Sequence, residues 1–398
     1  MIWRVLRWTA AVVVGLVVLG VVLYAIAARQ PRGQVTIDEV VPPGESDAIM
    51  RLVRRATAAI EERAEDDRLY KRDAHAQPHG CVTGMVEVFD GLEPALRQGV
   101  FAEPGRRYKA WVRFSNGTQA DDTATDARGM AIKLMGVQGR KLLDRRDDPE
   151  RKTQDFVMVN YHTFFLRTLE EYEQFFEYQA ENRPTAWFFA GPPWRWRLHA
   201  LYHGAHMLYQ RIASPLATSY YSMSAYRFGP RNAKFSARPC VTANRPMPKS
   251  PGPSYLREAL VADLRAGPAC FDLAIQLQDP TKNMPIEDPT IQWDERESPY
   301  VPVARLRIPR QEFSSDVQNR FCEQLQFAPW HALPAHRPVG SLNRARMFVY
   351  REVSRRRHFH NTMKRGEPRG WCLHFGRCAP SDERHPSTAL AEGMRDDG

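Results

Sequence analysis

Two regions far apart in the chain carry side chains whose types and spacing suit redox or proton-transfer chemistry. In RARMFVYRE, Arg344 to Glu352, Arg346 stands four residues before Tyr350. On a helix the two face the same way, so the guanidinium can stabilise a phenolate, and a tyrosinate is a ligand for iron. The bland alternative is an arginine–tyrosine stack on an ordinary amphipathic helix. Near the other end, KRDAHAQPHGCV gathers Arg72, His75 and His79. An imidazole titrates near neutrality and suits a proton shuttle, although two histidines beside Pro78 and Gly80 equally suit a loop entering a strand. In AWVRFSNG, Arg113 lies inside a strand pattern and either faces solvent or meets an anion, because an unpaired buried guanidinium is costly. Ser115 is placed to hydrogen-bond a neighbouring imidazole. His199, His203 and His206 share a helix face in RLHALYHGAHMLY, a spacing able to bind zinc. No glutamate follows the first of them as a zinc protease requires, and the aromatic surroundings favour a structural role.

These residues need elements to position them. The 398-residue chain, with 43% apolar and 11% aromatic residues, is long enough for one large core and excludes general disorder. From Trp8 to Ala28 the sequence has no charge and the length of a bilayer span, so residues 1–30 are expected to be a transmembrane anchor or uncleaved signal, with the main domain periplasmic or otherwise extracytoplasmic. A linker is expected over 31–46, a main domain over 47–378 and a disordered tail over 379–398. Asp47 to Asp66 is an amphipathic helix, and from Cys81 short strand-like runs follow: VTGMVEVF, RYKAWVRFS, RGMAIKLM, TQDFVMVN, ACFDLAIQLQ and YVPVARLRI. Strands at these spacings predict an antiparallel sheet able to curl into a barrel. Helical patterns over Leu166–Gln179, Pro193–Ile212, Arg310–Leu325 and Ser341–His358 make the class α+β, a sheet followed by helices.

The net charge of +10 is spread along the chain with no nucleic-acid-reading motif, which argues against nucleic acid as a partner. Six cysteines without CxxC spacing exclude zinc ribbons and thioredoxin-like motifs, and an even count in an exported chain permits disulfides.

Read in order, the motifs resemble the haem-dependent catalase-like superfamily, including its small peroxidases. Arg72-Asp73-Ala74-His75-Ala76, the strand Arg113-Phe114-Ser115, the run Asp126 to Lys133 of form D-x-R-G-x-A-x-K, Asn160 before Phe164-Phe165-Leu166-Arg167, and Arg346-Met347-Phe348-Val349-Tyr350 carry the likeness. The resemblance implies an antiparallel eight-stranded β-barrel with haem b lying between barrel and helices. It implies Tyr350 as the iron ligand with Arg346 beside it, and His75 as distal acid/base, with His79 the alternative. It further implies Asn160 as the peroxide-binding partner, Ser115 orienting His75, and Arg72, Arg113 and Arg357 on the haem propionates, with Phe164 or Phe165 against the ring. The expected activity is decomposition of hydrogen peroxide or organic hydroperoxides in oxidative stress. The alternatives are a hydroperoxide isomerase or reductase of the allene-oxide-synthase type, or a non-catalytic haem-binding membrane-tethered protein. Partners would be the peroxide, an electron donor and the membrane.

Overall fold

The computed structural model describes residues 2–143, 148–241, 245–375 and 378, without the side chains of 2–11 and 66–67. Four antiparallel strands come first: β1 (Pro78–Val88), β2 (Arg107–Asn116), β3 (Arg128–Met135) and β4 (Thr153–Val159). A helical excursion follows, and then β5 (Tyr220–Tyr221), β6 (Tyr226–Phe228), β7 (Arg231–Pro239), β8 (Ala269–Leu277) and β9 (Val301–Ile308). Strand order β5-β4-β3-β2-β1-β9-β8-β7, with β5 pairing back onto β7, closes eight strands into a barrel, and β6 adds a hairpin to β7. Helices interrupt the strand series after β4, where the Leu166–Gln179 and Pro193–Ile212 patterns lie between strand runs, and further helices follow β9. The missed strands are β5 to β7: two are only two or three residues long, and β7, RNAKFSARP, is too mixed in polarity to show an alternation.

Closure gives the strands two unlike faces, because successive side chains point to opposite sides. Val112, Phe114, Met130, Ile132, Phe156 and Phe235 belong to the main apolar cluster. Arg113, Ser115, Gly129, Ala131, Val157 and Val159 alternate with them, paired Arg113 with Ala131 and Ser115 with Gly129 across β2 and β3. That second face is covered by α2 (Glu45–Asp67) and α8 (Ser341–His360). Between barrel strands or against them lie α3 (Leu169–Ala180), α4 (Pro184–Phe188), α5 (Leu198–Leu208), α6 (Tyr255–Ala266) and α7 (Asp316–Gln324).

The N-terminal apolar stretch is the helix α1 (Ile2–Ala28), whose C-terminal end meets α5 through Tyr24 and Tyr202, 5.7 Å apart, and through His199 Nδ1, 3.1 Å from the Ala27 carbonyl oxygen. The span expected from Trp8 falls partly on side chains outside the described set. Among the described residues no helix is long and apolar enough to cross a membrane. The segment expected as a linker is pinned to the barrel, since Asn232 donates to the Ile37 carbonyl at 2.8 Å and Gln278 to that of Thr36 at 3.0 Å. Arg344 then joins Glu39, Glu45 and Glu287, fastening the start of α8 to this segment and to α2. The expected tail, 379–398, lies outside the described residues.

A second polar knot sits in the interior. Lys133, the last residue of the D-x-R-G-x-A-x-K run, is wholly buried and ion-paired with Glu150 and Asp155. His331 joins it, with Nδ1 2.8 Å from Asp155 and Nε2 2.8 Å from Asp148. Asp148, Glu150 and His331 have the donor types of a cation site, but Lys133 already supplies the cation among the described residues. Burial alone would lower the pKa of His331, yet Glu150 and Asp148 outweigh it and raise it to about 10. Its charged form therefore contributes stability that is full below the ordinary value of 6.5 and is lost as pH rises through 10. Thermal unfolding followed from pH 6.5 to 10 should show a fall in Tm that is shallower in His331→Gln than in the native chain. Equal slopes would remove His331 from this role.

Candidate active site

Between the outward face of β2–β4 and the helices α2 and α8 lies a cavity with an empty volume of about 1640 Å³, part of it open to solvent. Its walls are largely apolar with a few polar side chains, as in small-molecule and cofactor sites. On α8 the lining residues Leu342, Arg346, Val349, Tyr350, Val353 and Arg357 recur at helical spacing along one face. Arg346 donates to the Tyr350 hydroxyl at 3.1 Å, its side chain lies over the ring 5.3 Å from the centroid, and it also donates to Asn343 at 3.2 Å. Burial disfavours the Arg346 cation, but Tyr350 and Tyr226 more than offset this and raise its pKa. The guanidinium is thus a permanent positive charge beside a phenol oxygen.

His75 lines the same cavity from the segment before β1. Its backbone takes φ 60°, an uncommon conformation for a residue with a side chain, and its N–H donates to the Gly117 carbonyl at 2.6 Å. Nδ1 lies 2.9 Å from the Asn116 carbonyl oxygen and 3.1 Å from Ser115 Oγ. A carbonyl only accepts, so Nδ1 carries the proton and the neutral ring keeps its lone pair on Nε2. Burial, then the Arg113 cation, lower the His75 pKa to about 4, which keeps the ring neutral at pH 7. The imidazole fits because Gly129 on β3 has no side chain: a Cβ there would run into His75 Nδ1 and come within 3.0 Å of Ser115 Oγ.

The D-x-R-G portion of the motif builds this floor. Asp126 accepts from Thr118 N at 2.8 Å and Gln119 N at 2.9 Å, and Arg128 bonds Asn116 and the Asp122 and Ala124 carbonyls. Together they fold the loop between β2 and β3 and deliver Gly129 beneath the ring. His79 is drawn into this scaffold, buried with Nε2 2.8 Å from Asn116 and 3.2 Å from Asp122, and does not line the cavity.

Arg72, Arg113 and Arg357 converge at one edge of the cavity on Glu323, a residue that sequence reasoning missed. Arg72 pairs with its carboxylate and donates to the Cys322 and Leu325 carbonyls, and Arg357 donates to its carbonyl oxygen. Three cations thus face one carboxylate within 4 Å, an excess of two positive charges. Burial followed by Arg72 depresses the Arg357 pKa to about 9 and also lowers that of Arg113. Arg113 Nε and Glu323 Oε1 are buried without hydrogen-bond partners. Two more carboxylates would complete this edge.

The structure therefore brings His75, Ser115, Arg72, Arg113, Phe164, Arg346, Tyr350 and Arg357 to one cavity. Two expected residues are elsewhere. Asn160 accepts from Arg128 N at 2.7 Å and donates to Gln210 at 3.4 Å, so its amide fastens the start of β3 and is not on the wall. Phe165 turns into the aromatic cluster of Phe175 and Phe188, leaving Phe164 to face the cavity. His203 bonds Tyr161 and Thr163, His199 spans Ala27 and Thr290, and His206 caps the Tyr202 carbonyl, which agrees with structural roles for all three.

Gly129→Ala should destabilise the fold by about 1–3 kcal/mol in chemical denaturation, the range for overpacking a tight site. In the His75→Ala background that cost should largely vanish, because the clashing ring is gone. Additive costs would show that Gly129 serves another purpose.

No model of a known protein family matches the chain. A stretch of 96 residues is 36% identical to Catalase C of Rhizobium meliloti (strain 1021), covering 23% of this chain and 14% of that protein. A bacterial catalase structure superposes with a TM-score of 0.57 at 17% identity, covering 81% of this chain and 65% of that one. Catalase A from Saccharomyces cerevisiae gives 0.55 at 18% identity, with 83% and 68% covered, and a fungal catalase gives 0.55 at 18%, with 83% and 65% covered. The chain thus spans about two thirds of the length of these structures, and at these identities the likeness is one of fold. The fold of this chain is that of these catalase structures.

Proposed function

We propose that the cavity holds haem b and that the protein is a catalase-like peroxidase consuming hydrogen peroxide or organic hydroperoxides. One observation carries this reading: a neutral imidazole and an arginine-bonded tyrosine share an apolar cavity whose edge carries two uncompensated arginine charges. Arg72, Arg113 and Arg357 would hold the two propionates, Tyr350 would face the iron, and Phe164 would pack against the ring. When bound, haem supplies an iron that exchanges electrons with peroxide.

The chain's own groups move the protons. With Nδ1–H fixed on the Asn116 carbonyl, His75 Nε2 takes a proton from the nearer peroxide oxygen and returns it to the leaving oxygen. Ser115 holds the ring in that orientation. Arg346 balances negative charge on the Tyr350 oxygen. Absence of Asn160 from the wall favours a second reading, reduction or isomerisation of an organic hydroperoxide with little dioxygen release, since no expected amide then holds a peroxide beside His75.

The two disulfides, Cys240–Cys270 and Cys372–Cys378, support an oxidising, extracytoplasmic setting. Exposed Val13, Leu16, Val17 and Leu19 on α1 support attachment to lipid.

Protein lacking residues 1–30 and produced with haem should show a Soret band; its absence ends the haem reading. Tyr350→Phe should alter the charge-transfer bands or weaken haem retention, and native-like spectra would exclude Tyr350 as ligand. His75→Ala should lose about 10²–10⁴-fold in peroxide turnover with haem retained. Turnover should fall with acid only as His75 protonates near pH 4. Dioxygen release measured against lipid hydroperoxide loss separates the two activities.

A further inference from the structure

Two cysteines remain outside the disulfides, Cys81 on β1 and Cys322 on α7, and they lie together in the interior. Each is 3% exposed, and both belong to one buried cluster with Trp111, Phe321 and Trp371. The contact is built in by the packing of α7 on β1. Gln318 donates to the Cys81 carbonyl at 2.8 Å, and Cys322 follows one helical turn later on the same face. Their surroundings belong to the arginine edge of the cavity. Cys81 pairs with Arg113 across β1 and β2, and the Cys322 carbonyl accepts from Arg72 at 3.1 Å. Cys322 precedes Glu323, on which the three arginines converge.

We propose that Cys81 and Cys322 are a peroxide-oxidisable pair that closes a third disulfide, joining β1 to α7 behind the arginine cluster. Two nearby guanidinium groups favour the thiolate that such chemistry needs. Burial opposes ionisation of Cys322, but the hydrogen bond from Cys81 and the Arg113 cation lower its pKa, whereas burial and Cys322 raise that of Cys81. Cys322, whose carbonyl accepts from Arg72 and which directly precedes Glu323, is assigned as the attacking sulfur and Cys81 as the resolving one.

The Cys322 thiolate attacks one oxygen of hydrogen peroxide. The O–O bond breaks, sulfur keeps that oxygen as a sulfenic acid, and the other oxygen leaves and takes up a proton as water. Cys81 sulfur then attacks the sulfenic sulfur; the S–S bond forms, the S–O bond breaks, and hydroxide leaves with the Cys81 proton as a second water. Two thiols are oxidised and one peroxide is reduced, with no further reactant. The bond would fix the helix carrying Glu323 and the Arg72 carbonyl acceptors to the strand paired with Arg113. The step uses added peroxide and no haem, so it stands apart from the cofactor reading.

The test is differential alkylation and peptide mass spectrometry on the full-length, haem-loaded protein, as isolated, after mild reduction and after hydrogen peroxide. Expected is loss of both alkylatable thiols after peroxide, recovery of a Cys81–Cys322 linked peptide, and reversal by reductant. The same link already present as isolated, and re-formed by peroxide after reduction, supports the proposal equally. In Cys81→Ser no link should form and Cys322 should be trapped as sulfenic acid by a dimedone probe. Two fully alkylated thiols after peroxide, or oxidation to sulfinic acid without a link, would overturn it. A Soret spectrum of the same sample reports independently on haem.

Discussion

Three guanidinium groups gathered around a single carboxylate repel one another, and that repulsion makes the Arg72, Arg113, Arg357 and Glu323 edge the point on which the site depends. Buried charge is tolerated when it is paired, and here the pairing is incomplete by two charges. Arg113 is 3% exposed and Arg357 2%, so solvent cannot make good the difference. The fold meets part of the cost with backbone carbonyls at Cys322, Glu323 and Leu325. The remainder is an excess of positive charge at this edge of the cavity. Glu323 keeps these cations together, held ionised against its burial by Arg72, Arg113 and Arg357.

Everything else at the site follows from the two-sidedness of a closed sheet. One set of alternating residues fills the barrel with apolar groups, and the other set, shifted by one position, supplies Arg113, Ser115 and Gly129 to the cavity. A slip of one residue would put the guanidinium in the apolar interior and the phenylalanines in the cavity. The register is secured at the β2–β3 loop by Asp126 and Arg128, and at the far end of β3 by the buried Lys133 network. The D-x-R-G-x-A-x-K run is thus a set of fasteners with a gap, Gly129, into which an imidazole fits.

Legibility of the site in sequence followed a clear division. Arg346 with Tyr350, and Arg113 with Ser115, are pairs at local spacing, and their shared faces follow from helix and strand periodicity. The main strands were visible wherever alternation was strong, and β5 to β7 were missed where the runs were short or mixed. Asn160 and Phe165 show the limit of motif matching: each sits in the matched segment, but a hydrogen bond to Arg128 N claims one and an aromatic cluster claims the other. Glu323 had no local signal, because its meaning comes from arginines about 250, 210 and 34 positions away.

By itself the sequence determined the chemistry available: an arginine–tyrosine pair on a helix, a histidine beside an arginine-bearing strand, an α+β order of elements and a long apolar N-terminal run. It left His75 and His79 as rivals, since both are histidines near the same strand. Only the tertiary structure separated them, by closing one into the Asn116 and Asp122 scaffold and turning the other over Gly129 into the cavity. The physical reason is that a side chain's role is set by which groups share its burial, and those groups come from β2, β3, α7 and α8, which only chain closure brings within hydrogen-bonding range.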